Sequence, residues 1–451
     1  MPPGLTESMR NQYRTLLTLN PATSDAARLI GEEARRESIP DRGFHAQLAG
    51  LGDYPVTLSL ATVTAALAPA YVVRWHVGFY PTTLLEAAIL ATVAAFAVES
   101  VRARTFPNWR SPLTLPAVLL LVAGLLSVAV APSRSAALGI YRAYFVEPAL
   151  YALLLVTVVR RPWHVYLVLA GIWAGAAVLV VADSAVVVAG LLLHTFNPRL
   201  APPAAIYESG NAVALFVVPL VGIAGAVFVH APHRRARWAA GLFLLVAAPG
   251  SLLTFSRGGW AALLAVAVGL ALSHRLRWQL LGGLAAVAAL LGLAPAIRSR
   301  VAVQLNEGPG NTVAARLELW RDALDMLRQR PLFGAGLSGF QQRITPLYAH
   351  RHDTAPYPHN ILLAFWSETG LLGLAAFLWV TCAVGVMGIR GWLRGTADWR
   401  ALSLGTLLAL LAILVHGTVD TPYFKNDLSL EFWTIAAICW IAWRSGAPAA
   451  R

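Results

Sequence analysis

Residues 297–359 have the sequence IRSRVAVQLNEGPGNTVAARLELWRDALDMLRQRPLFGAGLSGFQQRITPLYAHRHDTAPYPH, a long polar stretch rich in Arg and His. The chain on both sides of it is almost continuously apolar. Apolar runs of about twenty residues are long enough for a helix to cross a bilayer. The pattern predicts a membrane-embedded chain in which this polar loop is the place for chemistry on a water-soluble group.

The composition supports a membrane protein. Of 451 residues, 57% are hydrophobic and 13% are charged, whereas a soluble domain has about 25% charged residues. Long apolar runs favour helices over a barrel, whose strands would show short alternating segments. Net charge is +13, but the arginines lie mainly in short loops between apolar runs, so no nucleic-acid partner is expected. Cys382 and Cys439 both lie in apolar runs and predict neither a disulfide nor a metal site.

The apolar runs predict about twelve transmembrane helices in an all-α polytopic fold. They are 56–73, 82–99, 113–131, 143–159, 163–182, 209–229, 238–254, 260–273, 278–296, 359–389, 400–418 and 429–444. Residues 183–194 are apolar but too short to span, so they either extend the fifth helix or re-enter the membrane. The tenth run is long for a bilayer of about 30 Å and should tilt or project.

The positive-inside rule predicts the orientation. With the N-terminus inside, the inner loops 101–110, 230–238, 273–278 and 390–400 are all basic. Both termini then lie in the cytoplasm, and the polar loop is extracytoplasmic. The predicted organisation is a cytoplasmic tail (1–55), nine spans (56–296), the loop (297–358), and three spans with a short cytoplasmic C-terminus (359–451). No cleavable signal peptide is visible.

Three groups near the outer face are candidates for chemistry. Arg257, in TFSRGGW (254–260), breaks the inside bias and precedes two glycines. An anion site at a helix start and a structural anchor are both open. Arg316 lies on a predicted amphipathic helix, 312–330, where it turns toward the protein body and needs a carboxylate or phosphate partner. His359, in PYPHNILLAFWSETGLLG (356–373), is a general-base candidate or a structural His. We expect Glu368 to hold a neighbouring helix or backbone amide.

Two further outer clusters offer binding groups. AIYESGNAVALF (205–216) contains Asn211, and HGTVDTPYFKND (416–427) contains Asp420 and Lys425. Lys425, the only lysine in the chain, either contacts a phosphate or sugar or forms a salt bridge with Asp420 or Asp427.

Other signals point away from cofactors. Gly334, Gly336 and Gly339 spell GxGxxG, but no strand precedes them as a dinucleotide site requires, so a flexible turn is expected. The sequence has no metal-ligand motif, so neither a metal nor another cofactor is predicted.

Together the outer groups predict an anion site. Two guanidinium groups match the oxygens of a diphosphate, and a nearby His can take a proton from a sugar hydroxyl. In a membrane, the natural ligand is a lipid with a diphosphate head. The arginines would stabilise the charge that develops as the diphosphate leaves.

SRGGW, RLELW in the loop, PLFGAGLSGF and PHNILLAFWSETGLLG occur in an order that resembles the O-antigen ligase and polymerase superfamily, over about residues 200–425. The resemblance implies a membrane glycosyltransferase C-type fold and metal-independent, inverting transfer from undecaprenyl diphosphate-linked glycan at the inner membrane. By motif match it implies functional roles for Arg257, Arg316 and His359, with Asn360 in the His-Asn pair. Lipid A–core, another lipid-linked glycan and a protein hydroxyl all remain possible acceptors.

Two rival classes stay open. A transporter or flippase of lipid-linked sugar would place ionisable residues near the bilayer midplane in repeated broken helices. A cell-wall polymerase of the shape-and-division type would use a loop carboxylate. The candidates for that role are Glu307, Glu318, Asp322, Asp325 and Asp353.

Overall fold

The computed structural model describes residues 54–78, 80–104, 107, 110–195, 203–293, 298, 312–345 and 355–446. The contacts divide the chain into two units, Met1–Pro55 and Val56–Arg451, and the fold below is that of the second. The predicted cytoplasmic tail and parts of the polar loop lie outside the described residues.

The described part is mainly helical. Its helices are α1 (Pro55–Ala66), α2 (Leu84–Ala103), α3 (Thr114–Val130), α4 (Arg134–Tyr141), α5 (Glu147–Val158), α6 (Pro162–Leu192), α7 (Gly210–His230), α8 (Arg234–Leu253), α9 (Arg257–Leu272), α10 (Arg277–Leu293), α11 (Thr312–Gln329), α12 (Phe340–Ile344), α13 (Ile361–Arg394), α14 (Ala397–Gly417) and α15 (Asn426–Gly446). A 3₁₀ turn spans Ala68–Val72, and a π-helical turn, Arg142–Val146, joins α4 to α5.

Seven helices in the described residues are long and apolar enough to cross a membrane. They are Leu84–Ala103, Arg134–Val158, Pro162–Leu192, Gly210–His230, Arg234–Leu253, Ile361–Arg394 and Ala397–Gly417. The predicted all-α multi-pass architecture is confirmed at this level. Each of the twelve predicted spans coincides with a helix, but several are shorter or less apolar than a full span, so the count of twelve stays a prediction.

Two local features differ from a chain of simple spans. After α1 the chain forms a 3₁₀ turn and then an antiparallel hairpin, β1 (Arg74–Val77) with β2 (Tyr80–Thr83). The sequence analysis did not predict this hairpin, although its β-branched and aromatic residues favour strands. The segment 183–192 continues the fifth span as one helix, α6, up to Leu192.

Helix α7 is the most enclosed of the candidate spans, with 89% of its apolar window buried. It packs against α8, α9 and α14. A Cβ at Gly222 would lie 3.1 Å from the backbone nitrogen of Ala409, and one at Gly405 would lie 3.1 Å from the Cα of Ile223. Small residues at such crossings let two membrane helices approach closely. This contact fixes α7 beside α14, and the start of α7 and the end of α14 both lie at the candidate site.

Helix α13 is broken at Gly370, whose backbone has φ 69° and ψ −175°. The break lets Leu371 N–H donate to the carbonyl of Leu332 at 3.0 Å. Ala335 N–H likewise donates to the carbonyl of Ser367 at 2.7 Å. The turn that follows α11 is thus bonded to the break in α13, which holds α11 over the start of that helix.

The predicted turn at GAGLSG is present, and it packs closely against other parts of the chain. Gly334 and Gly336 have φ values of +62° and +82°. A Cβ on Gly334 would lie 2.3 Å from the carbonyl oxygen of Ser367, and a Cβ on Gly336 would lie 2.8 Å from the Cα of Ala131. Glycine is therefore required at both positions, because the backbone has a positive φ there and another part of the backbone lies too close for a side chain. The buried Glu368 accepts a hydrogen bond from Ser338 N–H, which is the amide-holding role expected for it.

Helix α11 has the bounds that the sequence predicted to within a residue, Thr312–Gln329. Ala323, Met326 and Leu327 are buried in a cluster with Phe340, Ile344 and Ala335, against Leu363 and Trp366 of α13. On the opposite face Arg328 forms an ion pair with Asp325. The buried stripe anchors the helix to α12 and α13.

Candidate functional site

The start of α9 positions Arg257. Phe255 has a φ of +51°, which reverses the chain between α8 and α9. Ser256 then caps the helix, and its hydroxyl accepts a hydrogen bond from Gly259 N–H at 3.0 Å. Such a cap satisfies one of the first amides of the helix and fixes where it begins. Arg257 is the first helical residue and is half-buried at this end.

Gly258 lets a histidine lie against the same helix start. A Cβ at position 258 would be 2.6 Å from Cδ2 of His416. His416 is at the end of α14 and is buried. The two glycines after Arg257 thus have a packing role, because Gly259 is also in contact with Ala214, where a Cβ would approach to 2.7 Å.

The side-chain amide of Asn211, at the start of α7, contacts three other elements. Its Oδ1 accepts hydrogen bonds from the hydroxyl of Ser256 at 2.7 Å and from Nε2 of His416 at 3.2 Å. Its Nδ2 donates to Oδ2 of Asp420. The amide of Asn211 therefore ties the start of α7 to the start of α9, the end of α14 and the loop after α14. Both ends of this side chain are used inside the protein.

Asp420 and His359 form a pair. Nδ1 of His359 lies 3.1 Å from Oδ1 of Asp420. Because a carboxylate only accepts, Nδ1 carries the proton in this contact and Nε2 is left as the acceptor. Asp420 is 4% exposed, whereas the side chain of His359 is 37% exposed. The carboxylate of Asp420 is thus buried in the protein, and the imidazole of His359 extends from it to the protein surface.

The environment of Asp420 favours its ionised form. Burial acts to raise the pKa of Asp420, but the hydrogen bond and charge of His359, the charge of His416 and the amide of Thr421 outweigh it and hold the pKa below its usual range. Thr421 N–H donates to Oδ1 at 2.8 Å. Hydrogen bonds to a buried carboxylate of this kind contribute about 1.5–3 kcal/mol each. Asp420 is a fixed negative charge behind the imidazole.

Helix α11 brings Arg316 to the same region. Trp320, one turn further along, donates from Nε1 to the carbonyl of His359 at 3.4 Å. The charge of Arg316 acts on both Arg257 and His416, so these groups are within electrostatic range of one another. Arg316 is half-buried. Holding two guanidinium groups near each other is unfavourable by itself, and an anion between them would relieve the repulsion.

The other two predicted binding residues have different surroundings. Asn360 caps α13, with Oδ1 accepting from the amides of Leu362 and Leu363 at 3.0 and 3.1 Å. Its Nδ2 donates to the carbonyl of Thr418 at 3.0 Å, which joins α13 to the loop that contains Asp420. Lys425 forms a salt bridge with Glu208 at 3.6 Å. The sequence had predicted Asp420 or Asp427 as its partner if it formed a salt bridge.

Residues 242–378 match the O-antigen ligase family model. The match confirms the resemblance drawn from the sequence motifs. It runs from within α8 to the first half of α13 and includes Arg257, Arg316 and His359. The other half of the network, Asn211 and Asp420, lies outside the match. The chain is a multi-pass membrane protein with an O-antigen ligase-like region. No curated protein matches the chain.

The geometry changes the role that the sequence analysis gave to Asp420. The sequence placed it among groups that bind substrate, but its carboxylate contacts His359, Asn211 and Thr421. Asn211 and Asn360 likewise join elements through their amides. No pattern in the sequence showed these links, because the partners are separated by 61 residues for Asp420 and His359 and by 209 for Asn211 and Asp420. The functional roles of all seven candidate residues remain predictions.

Metal-ligand clusters are absent from the described part. No three His, Cys, Asp or Glu side chains there are grouped closely enough to hold a metal ion. Of the loop carboxylates considered for an acidic mechanism, Asp325 is paired with Arg328, and Asp322 is buried. Glu307 and Asp353 lie outside the described residues.

Proposed function

We propose that the chain is a membrane glycosyltransferase that moves a glycan from undecaprenyl diphosphate to an acceptor hydroxyl. The acceptor is the lipid A–core of lipopolysaccharide, as for an O-antigen ligase, or a growing lipid-linked polysaccharide. The reaction occurs at the outer face of the cytoplasmic membrane, with both termini in the cytoplasm. The arrangement of helices belongs, in this proposal, to the membrane glycosyltransferase C type.

The observation that carries the proposal is the His359–Asp420 pair. Asn211 links Asp420 to Ser256, the residue before Arg257, and Trp320, one turn after Arg316, donates to the carbonyl of His359. With Nδ1 directed at Asp420, Nε2 of His359 takes the proton of the acceptor hydroxyl. The acceptor oxygen then forms a bond to the anomeric carbon, and the bond from that carbon to the diphosphate oxygen breaks. The electron pair leaves with undecaprenyl diphosphate. Attack opposite the leaving group inverts the anomeric configuration.

Arg257 and Arg316 stabilise the leaving diphosphate. Guanidinium groups bind phosphate oxygens through two parallel hydrogen bonds, and fixed cations near a developing charge lower the barrier to its formation. Asp420 stabilises the imidazolium that His359 becomes, in the way that a buried carboxylate orients and supports a catalytic histidine. Because the arginines supply this charge, the proposed reaction proceeds without a metal ion.

A transfer assay with a panel of acceptors tests the proposal. Purified protein in nanodiscs receives undecaprenyl diphosphate-linked glycan together with lipid A–core, a second lipid-linked glycan, or a peptide containing Ser and Thr. We expect glycan on one of the first two. Product on the peptide would instead assign the protein O-oligosaccharyltransferase reaction. Movement of the lipid-linked glycan across a sealed bilayer without transfer to any acceptor would replace the proposal with a flippase.

A further inference from the structure

Helix α11 has a second apolar stripe, which stays largely exposed among the described residues. Val313, Leu317 and Leu324 are 48%, 44% and 39% exposed. Offsets of four and eleven residues place them in line along the helix. We call these three residues the apolar ridge. The stripe that anchors the helix, Ala323, Met326 and Leu327, is distinct from it and fully buried.

The ridge borders the candidate site. Arg316 directly precedes Leu317, and Trp320 is three residues after Leu317 and four before Leu324, so both lie beside the ridge on the helix surface. Trp320 is bonded to the backbone of His359. The same helix therefore presents a cation, an indole in contact with the histidine, and an exposed apolar strip, in that order around its circumference.

This order matches a ligand with an anionic head and a long apolar chain. In the proposed reaction the diphosphate is at Arg257 and Arg316, and the isoprenoid chain is esterified to its distal phosphate. The chain must then leave the site on the diphosphate side. The acceptor attacks from the opposite side of the anomeric carbon, so its own lipid lies away from the ridge.

Four more exposed apolar side chains lie where the turn after α11 meets α13. Leu332 and Phe333, in the turn after α11, are 63% and 52% exposed, and Leu371 and Leu372, at the break in α13, are 45% and 39% exposed. Leu371 N–H is bonded to the carbonyl of Leu332, so these two exposed pairs adjoin. Helix α13 is one of the long apolar spans. The two exposed pairs therefore connect the turn after α11 to a candidate membrane span.

We propose that the apolar ridge binds the isoprenoid chain of the lipid-linked donor, next to its diphosphate. The inference rests on the proposed function and deepens it, because it assigns the part of the substrate that the arginines and His359 do not contact. It predicts that the protein distinguishes donors by chain length through α11, independently of the diphosphate.

The test is binding of two diphosphates of different chain length to the full-length protein in detergent. The ridge variant is Leu317→Gln with Leu324→Gln, since Gln has nearly the helix propensity of Leu. The matched control is Ala315→Gln, an exposed position on the opposite face of the same helix. The probes are undecaprenyl diphosphate and geranyl diphosphate, and thermal unfolding of each variant shows that it is folded.

We expect the ridge variant to bind undecaprenyl diphosphate about tenfold more weakly than the wild type, which is about 1.4 kcal/mol of binding free energy. Geranyl diphosphate should lose less affinity, because its two isoprene units reach only the part of the ridge beside Arg316. Unchanged affinity for undecaprenyl diphosphate would overturn the proposal. An equal loss for both probes would also overturn it, because the substitutions would then act on the diphosphate site. If the wild type binds neither probe, the donor assignment itself fails, and the proposed function fails with it.

Discussion

At the scale of single residues, a buried carboxylate, Asp420, supports a half-exposed imidazole, His359. Asp420 is nearly inaccessible and His359 is more than one-third exposed. The pKa of Asp420 is lowered by the hydrogen bond and charge of His359 in spite of burial. A carboxyl group with a lowered pKa contributes stability above its unfolded-state pKa, and that contribution is lost as the pH falls through the folded-state value. Asp420 therefore stays ionised throughout the neutral range.

Replacing Asp420 by Asn keeps the shape and removes the charge. We expect Asp420→Asn to lower the transfer rate on the order of 10²-fold, because the protonated imidazole loses its stabilising partner. The measurement is the rate–pH profile from pH 5 to pH 9, with Asp325→Asn as the control. A variant with the wild-type profile would show that Asp420 is only structural.

Arg316 should require the guanidinium group and not only a positive charge. Arg316→Lys keeps the charge but cannot form two parallel hydrogen bonds to one phosphate. We expect kcat to fall about 10²–10³-fold, the usual effect of removing one donor that binds the developing charge. Arg321→Lys on the same helix should retain the wild-type rate. If both variants are equally active, Arg316 does not contact the leaving group.

At the scale of elements, the turn after α11 determines where that helix lies. Gly334 and Gly336 approach the backbone of Ser367 and Ala131, and Ser338 is bonded to Glu368. These contacts attach the turn to α13 and α3. Arg316 and Trp320 are therefore positioned by glycines that lie far from them in the chain.

A methyl group on Gly334 or Gly336 should loosen this attachment. We expect Gly334→Ala and Gly336→Ala to lower the free energy of unfolding by about 1–3 kcal/mol each, since each combines positive φ with a steric clash. Gly385→Ala is the control, because a Cβ there meets nothing within 4 Å. Thermal unfolding in detergent measures the difference. Equal melting temperatures for all three variants would contradict the packing described.

The elements also show what the sequence could and could not reveal. Helix α11 was predictable because its stripe of Leu, Ala and Trp has helical spacing and Pro331 ends it. The start of α9 was predictable from the Ser before Arg257. The hairpin of β1 and β2 was not, because the first apolar run conceals where α1 ends. The His359–Asp420 pair depends on how α13 meets the loop after α14, which no local pattern encodes.

At the scale of the whole molecule, the positive-inside rule predicts one orientation, in which the candidate site lies at the outer face. The groups at the candidate site, from Asn211 to Asp420, all occur at ends of helices that the rule assigns to the outer face. The basic loops 230–238 and 390–400 occur at the opposite ends. This orientation decides which compartment supplies the acceptor.

Labelling of single cysteines tests the orientation. In a background with Cys382 and Cys439 replaced by Ala, Glu208→Cys and Arg321→Cys should react with an impermeant maleimide added outside intact cells. Arg235→Cys should react only after the cells are opened, because its loop is predicted to be cytoplasmic. The reverse pattern would place the site on the cytoplasmic side.

The central claim is that His359, with the two arginines, catalyses glycosyl transfer without a metal ion. Its most direct test is the rate of transfer in EDTA for the wild type and for His359→Ala, in the same nanodiscs and with the acceptor identified above. We expect EDTA to leave the wild-type rate unchanged and His359→Ala to be slower by about 10²–10⁴-fold. A wild-type rate that EDTA abolishes, or a His359→Ala variant as fast as the wild type, would contradict it.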